Sequence, residues 1–343
     1  MKTVLRITMI ILTTAALATY GRATPLQPAP VPDSTTQTFH AAEATIETGT
    51  VMLAGTLLTP LEKNPAPAII IIPGSGAATR NGSWNMYRNI AEYLVQHGIA
   101  VLIHDKRGVG GSTGDWESET FDERAQDVAA MVKYLQSRPE INPNRIGLIG
   151  HSQGAYIAPL VVAKYSSEVK FVVMLAGSGQ KVWDQVLTNE RAESLGNGLS
   201  ETEVNEKVTS LESQLQFIRK VQSPCRALKA HYLCFVLDYD PTSALEKLTI
   251  PTLAIYAELD TQVLSDVNIP LVESAFQTAG NTDYIVHAIK NSNHWFALAE
   301  VGTTTEMRKL MQSRDMYEFV PGFLEIIGDW INRTVLSLSS RES

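Results

Sequence analysis

Three side chains far apart along the chain, Ser152, Asp260 and His294, have the types and settings that nucleophilic chemistry needs. A serine hydroxyl is a weak nucleophile near neutral pH. It needs a base to take its proton, and the base needs a third group to orient it. Ser152 sits in the run Gly150-His151-Ser152-Gln153-Gly154. The run follows Arg145-Ile146-Gly147-Leu148-Ile149, read as a strand, and opens a segment of helical character from Gln153 to about Lys164. A strand that turns sharply into a helix strains the backbone at its tip. Only very small residues fit two positions before and two after the serine. Glycine satisfies both positions, and the strain would push the hydroxyl outward.

His294 lies in Asn291-Ser292-Asn293-His294-Trp295-Phe296, read as a polar loop after a strand at Tyr284 to Ile289. A loop there can reach back over a sheet edge, which makes His294 the candidate base. Among the rivals, His287 lies inside that strand and is expected to be packed. His151 must point elsewhere on the turn, while His97 and His231 lack a strand-end setting. Asp260, in Glu258-Leu259-Asp260-Thr261, is the candidate orienting carboxylate, with Glu258 and Asp266 as alternatives. An oxyanion formed on attack needs preorganised N–H donors. The Gln153 N–H, at a helix start, is one candidate. The Ser75 N–H, in the loop Pro73-Gly74-Ser75-Gly76, is the other, with Gly76 as its alternative. A second glycine-rich run, Asp105-Lys106-Arg107-Gly108-Val109-Gly110-Gly111-Ser112, lacks the Gly-Lys-Ser/Thr ending of a phosphate cradle. It reads as a structural loop with Asp105 and Arg107 paired or bonded to neighbouring backbone.

These residues require a scaffold that brings strand ends together. Ala68 to Ile72 and Ile99 to Ile103 are apolar throughout, as expected for strands buried on both faces of a parallel sheet. Val169 to Leu175, Pro251 to Tyr256 and Tyr284 to Ile289 read as further strands, and Ala44 to Leu58 as a hairpin. Helical spacing marks Met86 to Gln96, Asn268 to Ala279 and Phe323 to Leu336. Thr120-Phe121-Asp122-Glu123 is a capping box for a helix through about Gln136. Alternating strands and helices predict an α/β fold with a mostly parallel, doubly wound sheet. Ligands sit at the carboxyl ends of such strands, where Ser152, Asp260 and His294 fall. The alternation stops between Gln180 and Thr249, which predicts an inserted helical cap with helices at Trp183 to Leu195, Glu201 to Val221 and Arg226 to Val236. Core segments at 44–179 and 250–338 would flank a cap at 180–249.

The chain has 343 residues and a formal net charge of −8. The acidic excess argues against nucleic acid or an anionic membrane surface as partner. Lys2 and Arg6 precede a short apolar run, Ile7 to Leu17, followed by small residues at Ala16-Leu17-Ala18 and Gly21-Arg22-Ala23. Residues 1–23 therefore read as a signal peptide, cleaved after Ala18 or Ala23, and 24–43 as a disordered leader. Export would give a periplasmic or extracellular protein with no stable membrane insertion after cleavage. Two cysteines, Cys225 and Cys234, either form a disulfide or remain thiols on one helix. No Cys/His spacing fits zinc, and no metal site is expected.

Together the early hairpin, Ile72-Pro73-Gly74-Ser75-Gly76, the loop from Asp105 to Ser112, Gly150-His151-Ser152-Gln153-Gly154, Glu258-Leu259-Asp260 and Asn293-His294 resemble the α/β-hydrolase superfamily. The resemblance runs from about Thr45 to Leu336, interrupted by the cap. It is closest to bacterial esterases and serine-aminopeptidase-like hydrolases. It implies a serine hydrolase acting on a small acyl substrate through an acyl-enzyme, with no cofactor and with Ser152, Asp260 and His294 as the triad. One departure is visible: Pro73-Gly74 stands where many members carry His-Gly. Ester cleavage is the leading expectation. A peptidase or amidase is the alternative, and an aminopeptidase would draw on Glu190, Glu193, Glu203 or Glu206 to bind an amine. A non-catalytic binding module is the third expectation.

Overall fold

The computed structural model describes residues 38–62, 65–229, 231–313 and 317–342. The signal peptide and most of the leader expected from the sequence lie outside the described residues. An eight-stranded sheet forms the centre, in the order β1-β2-β4-β3-β5-β6-β7-β8. Strands β1 (Phe39–Thr48) and β2 (Val51–Pro60) pair antiparallel through the turn at Gly49 and Thr50. β1 thus begins five residues before the hairpin boundary read at Ala44. Its Glu43 binds Thr56 Oγ1 and Arg80, which ties that extension to the next strand and to a loop beyond it.

β2 also runs antiparallel to β4 (Ala100–His104). From there all pairings are parallel, through β3 (Ala66–Ile72), β5 (Ile141–His151), β6 (Val169–Leu175), β7 (Thr252–Ala257) and β8 (Tyr284–Ile289). The central strands are buried along most of their length, which explains why they read as continuous apolar runs. The parallel direction brings the carboxyl ends of β3, β5, β7 and β8 to one edge of the sheet.

Helices cover both faces. α1 (Met86–Gln96) presents Met86, Ile90, Ala91 and Leu94 to one face. α2 (Phe121–Gln136) starts at the expected Thr120 capping box and packs Phe121, Ala125, Val128 and Val132 on the other. α3 (Gly154–Lys164) follows β5 and is nearly all buried. Between β6 and β7 every element is helical: α4 (Val182–Gly196), α5 (Glu201–Lys220), α6 (Gln222–Ala227), α7 (Leu233–Val236) and α8 (Thr242–Leu245). The single helix read over Arg226 to Val236 is instead two short helices. Cys225 and Cys234 therefore lie on different helices and are joined by a disulfide. α9 (Ser265–Thr278) joins β7 to β8, α10 (Thr304–Ser313) follows β8, and α11 (Phe323–Glu342) packs Phe323, Ile327 and Trp330 beside α1. No helix among the described residues is long and apolar enough to cross a membrane.

Candidate active site

Ser152 has φ 53°, the left-handed region that a non-glycine residue rarely adopts. The flanking glycines are explained by close approach. A Cβ on Gly150 would collide with the Gly154 carbonyl, and one on Gly154 with the Ile72 carbonyl at the end of β3. The Ser152 N–H donates to the Leu175 carbonyl at 2.8 Å, anchoring the turn to β6. Strain at this position is held in place by the packed strands around it.

Asp260 follows β7 and His294 follows β8. The His294 Nδ1 lies 2.7 Å from Asp260 Oδ2, with both side chains buried. The other carboxylate oxygen, Oδ1, accepts the N–H groups of Gln262 at 2.7 Å and Val263 at 2.9 Å. This fixes the carboxylate and makes Nδ1 the protonated nitrogen, so Nε2 carries the lone pair. Of the rival carboxylates, Glu258 is exposed and accepts the Asn291 N–H, and Asp266 is exposed at the start of α9.

The His294 segment is a polar loop, as read, folded on itself by internal bonds. Asn293 Oδ1 accepts the N–H groups of Trp295 and Ala297, and the Asn293 N–H donates to the Ala297 carbonyl. These internal bonds let a polar segment be buried. Trp295 and Phe296 pack into the core beneath it. His287, expected to be packed, is exposed on edge strand β8, where alternate side chains face solvent.

His151 points away from the turn's open side and links three segments. The Gly74 N–H donates to Tyr87 Oη at 2.9 Å, and Tyr87 Oη lies 3.0 Å from His151 Nδ1. His151 Nε2 lies 3.1 Å from the His294 carbonyl. A carbonyl can only accept, so Nε2 carries the proton and Nδ1 accepts from Tyr87. Burial, reinforced by the nearby His294, pushes His151 down to about 3 and keeps it neutral.

The loop after β3 lies against Ser152: a Cβ built on Gly74 would sit 3.3 Å from the Ser152 Cβ. The Ser75 and Gln153 N–H groups, both singled out from the sequence, have no acceptor among the described residues. Behind this loop is a group of buried charges. Arg124 Nη2 donates to the Pro73 carbonyl at 2.8 Å, and Arg124 also binds the Gln153 side chain. Lys106 Nζ donates to the Gly76 carbonyl at 2.9 Å and the Gly74 carbonyl at 3.3 Å. Burial pushes Lys106 well below the usual lysine range and Glu119 up to about 8, the latter against the pull of Arg124. Arg107 binds Asp127 with two 2.7 Å bonds, and Asp105 binds Arg80 and the Gly111 N–H. Asp105 and Arg107 are thus paired across the fold, whereas Lys106 bonds backbone carbonyls of the neighbouring loop. Arg124 and Tyr87 were not singled out from the sequence. A signal existed for Arg124, which falls on the apolar face of α2 three residues after Phe121.

The cap glutamates offered for amine binding are mostly engaged. Glu193 accepts the Thr304 N–H at 2.8 Å and the Thr261 hydroxyl at 2.6 Å, pinning α4 over the Asp260 loop. Glu203 closes the capping box at Ser200, and Glu190 pairs with Lys207.

Residues 63–298 match the family model described as serine aminopeptidase, S33. The chain belongs to the S33 serine aminopeptidase family, within the α/β-hydrolases. This S33-family chain is 28% identical over 217 residues to the esterase EstD of Thermotoga maritima, covering 62% of this chain and 50% of that protein. The chain thus spans half the length of that relative. It is 26% identical over 206 residues to a bifunctional esterase/perhydrolase of Acinetobacter calcoaceticus, covering 51% of this chain and 70% of the other. Among solved structures, an esterase of Pyrococcus furiosus superposes with a TM-score of 0.56 at 18% identity, covering 92% of this chain and all of the other. A proline iminopeptidase of Mycobacterium smegmatis gives 0.55 at 18% identity, covering 86% and 99%. At such identities these structures speak to the fold.

Proposed function

We propose that this chain is an exported carboxylic-ester hydrolase working through an acyl-enzyme, with Ser152 as nucleophile, His294 as base and Asp260 as its orienting group. The observation that carries the reading is a convergence at one sheet edge. Ser152 is left-handed, the ring of the adjacent His151 bonds the His294 carbonyl at 3.1 Å, His294 pairs with the buried Asp260, and the Ser75 and Gln153 N–H groups have no acceptor among the described residues.

In the proposed reaction, the Ser152 oxygen bonds to the substrate carbonyl carbon while His294 Nε2 takes the hydroxyl proton. The carbonyl electron pair moves onto oxygen, where the Ser75 and Gln153 N–H groups receive it. The dipole of α3 favours this charge at Gln153. The pair then re-forms the carbonyl, the bond to the leaving alcohol breaks, and His294 returns its proton to that oxygen. Water, deprotonated by His294, attacks the acyl-enzyme and releases the acid and Ser152. Protein groups and water suffice for every step, and the partner is a small acyl substrate.

Ester cleavage is preferred over aminopeptidase action because three of the four glutamates offered for amine binding, Glu190, Glu193 and Glu203, already hold internal partners, while Glu206 is exposed on α5. The names of the relatives support the same preference. Export is supported by the basic-then-apolar N-terminus and by the Cys225–Cys234 disulfide. The test compares wild type and Ser152→Ala on short p-nitrophenyl esters and on aminoacyl p-nitroanilides. Ester turnover that exceeds anilide turnover and disappears in the variant is expected. Equal ester turnover by both proteins would overturn the proposal.

A further inference from the structure

Lys106 is a buried lysine that the proposed reaction does not use directly, and among the described residues its Nζ donates to two carbonyls of the loop expected to hold the oxyanion. The backbone of that loop can be followed one peptide at a time. In the peptide joining Pro73 to Gly74, the carbonyl accepts from Arg124 and the N–H donates to Tyr87. Both ends are engaged, so the Gly74 N–H is not available to a substrate. In the next peptide, joining Gly74 to Ser75, the carbonyl accepts from Lys106 at 3.3 Å and the N–H has no acceptor among the described residues.

A trans peptide is planar, and its carbonyl and N–H point in opposite directions. Holding the Gly74 carbonyl on the buried side therefore turns the Ser75 N–H to the opposite side. Ser75 is exposed, and Gly74 lies against Ser152. A second bond from the same ammonium, to the Gly76 carbonyl at 2.9 Å, spans the loop and limits its rotation. The ammonium also lies 5.3 Å from the centre of the Trp116 ring, which holds it from another side.

We propose that Lys106 is a positioning residue for the oxyanion hole, fixing the direction of the Ser75 N–H through its grip on the Gly74 and Gly76 carbonyls. The proposal rests on the reading of Ser152 as an acyl-transfer nucleophile. It predicts an effect on the transition state rather than on substrate binding, because the N–H is needed most when charge develops on oxygen. It also predicts that Lys106 acts only through Ser75.

The experiment is a double-mutant cycle with Lys106→Met, which keeps the aliphatic stem, and Ser75→Pro, which deletes the N–H. kcat and KM are measured on p-nitrophenyl butyrate, together with the inhibition constant of a trifluoromethyl ketone that forms a tetrahedral adduct. Lys106→Met should lower kcat ~100-fold, the scale of losing one oxyanion donor. KM should stay nearly unchanged, and ketone affinity should weaken in parallel with kcat. Lys106→Gln, which retains an N–H donor, should recover part of the loss and serves for the whole cycle should the Met variant fail to fold. The double variant should be no slower than Ser75→Pro alone. Additive losses, an effect confined to KM, or unchanged ketone affinity would overturn the proposal. Fluorophosphonate labelling separates the two levels. Ser152 labelled in wild type with an additive cycle rejects the role of Lys106 alone, whereas wild type unlabelled at Ser152 rejects the nucleophile reading beneath it.

Discussion

Asp260→Asn is the substitution whose outcome the geometry constrains most tightly. The Oδ1 position accepts two backbone N–H groups, from Gln262 and Val263, while Oδ2 faces His294 Nδ1. An asparagine here must put its carbonyl oxygen at the Oδ1 position. The reverse orientation would set an NH2 against two donors and leave them unsatisfied, at about 1–3 kcal/mol each. The NH2 group then points at His294 Nδ1 and can only donate. His294 is forced into the other tautomer, with its proton on Nε2, where it can no longer accept from Ser152. The volume is unchanged and the site is buried, so the fold should survive. The expected loss is about 10⁴ in kcat, or about 5.5 kcal/mol of barrier, the scale seen when a triad carboxylate becomes an amide. Steady-state hydrolysis of p-nitrophenyl butyrate measures it, with circular dichroism and thermal melting as controls. A folded Asp260→Asn protein within tenfold of wild-type kcat would refute the tautomer argument.

Three further outcomes follow from the same geometry. His104 and His151 are held neutral to about 4 and about 3 by burial, whereas unfolded histidines titrate at about 6.5. At these two histidines the unfolded chain therefore binds more protons between these values, whereas Glu119, raised to about 8, binds its proton in the folded state and opposes one of them. The two histidines should lower unfolding free energy below pH 6.5 by up to about 1.4 kcal/mol per pH unit each, one such slope being opposed by Glu119; urea midpoints that stay flat from pH 6.5 to 5 would contradict this. Reducing the Cys225–Cys234 bond, which closes a loop of sequence separation 9, should lower the local stability of α6 and α7 by about 2–3 kcal/mol, read as faster amide exchange across residues 222–236; unchanged exchange would count against it. Glu193→Gln replaces two charge-assisted bonds to Thr261 and Thr304 and should lower stability by about 1–2 kcal/mol without changing the ratio of aminoacyl-anilide to ester turnover. A changed ratio would point to amine binding at that carboxylate.

Much of this arrangement is legible in the sequence because it depends on local rules. Phe121–Gln136 announces itself by its capping box, and Val169–Leu175 by the apolar run Phe171 to Leu175 that follows Lys170. Gly150 and Gly154 flank Ser152 because no Cβ fits there, which is a sequence-visible constraint. The expectation for Asp260 and His294 rested on strand ends, and parallel strands bring such ends to one edge. What escaped reading depends on tertiary context. β5 extends back to Ile141, four residues before the strand start read at Arg145, because Ala66 pairs with Ile141. α10 was not foreseen, and its first turn is organised by Thr303 and by Glu306, which accepts three N–H groups from the loop before it. Within the buried charged group only Arg124 has a periodic signature; Lys106 and Glu119 have none, since burial of a charge is decided by the partners the fold supplies.

The central claim is that Ser152 becomes acylated during turnover. Rapid acid quench with a p-nitrophenyl ester, followed by peptide mass spectrometry, tests this directly. The account predicts an acyl adduct on the peptide that carries Ser152, absent from Ser152→Ala. An adduct on another residue, or continued turnover by Ser152→Ala, would contradict it.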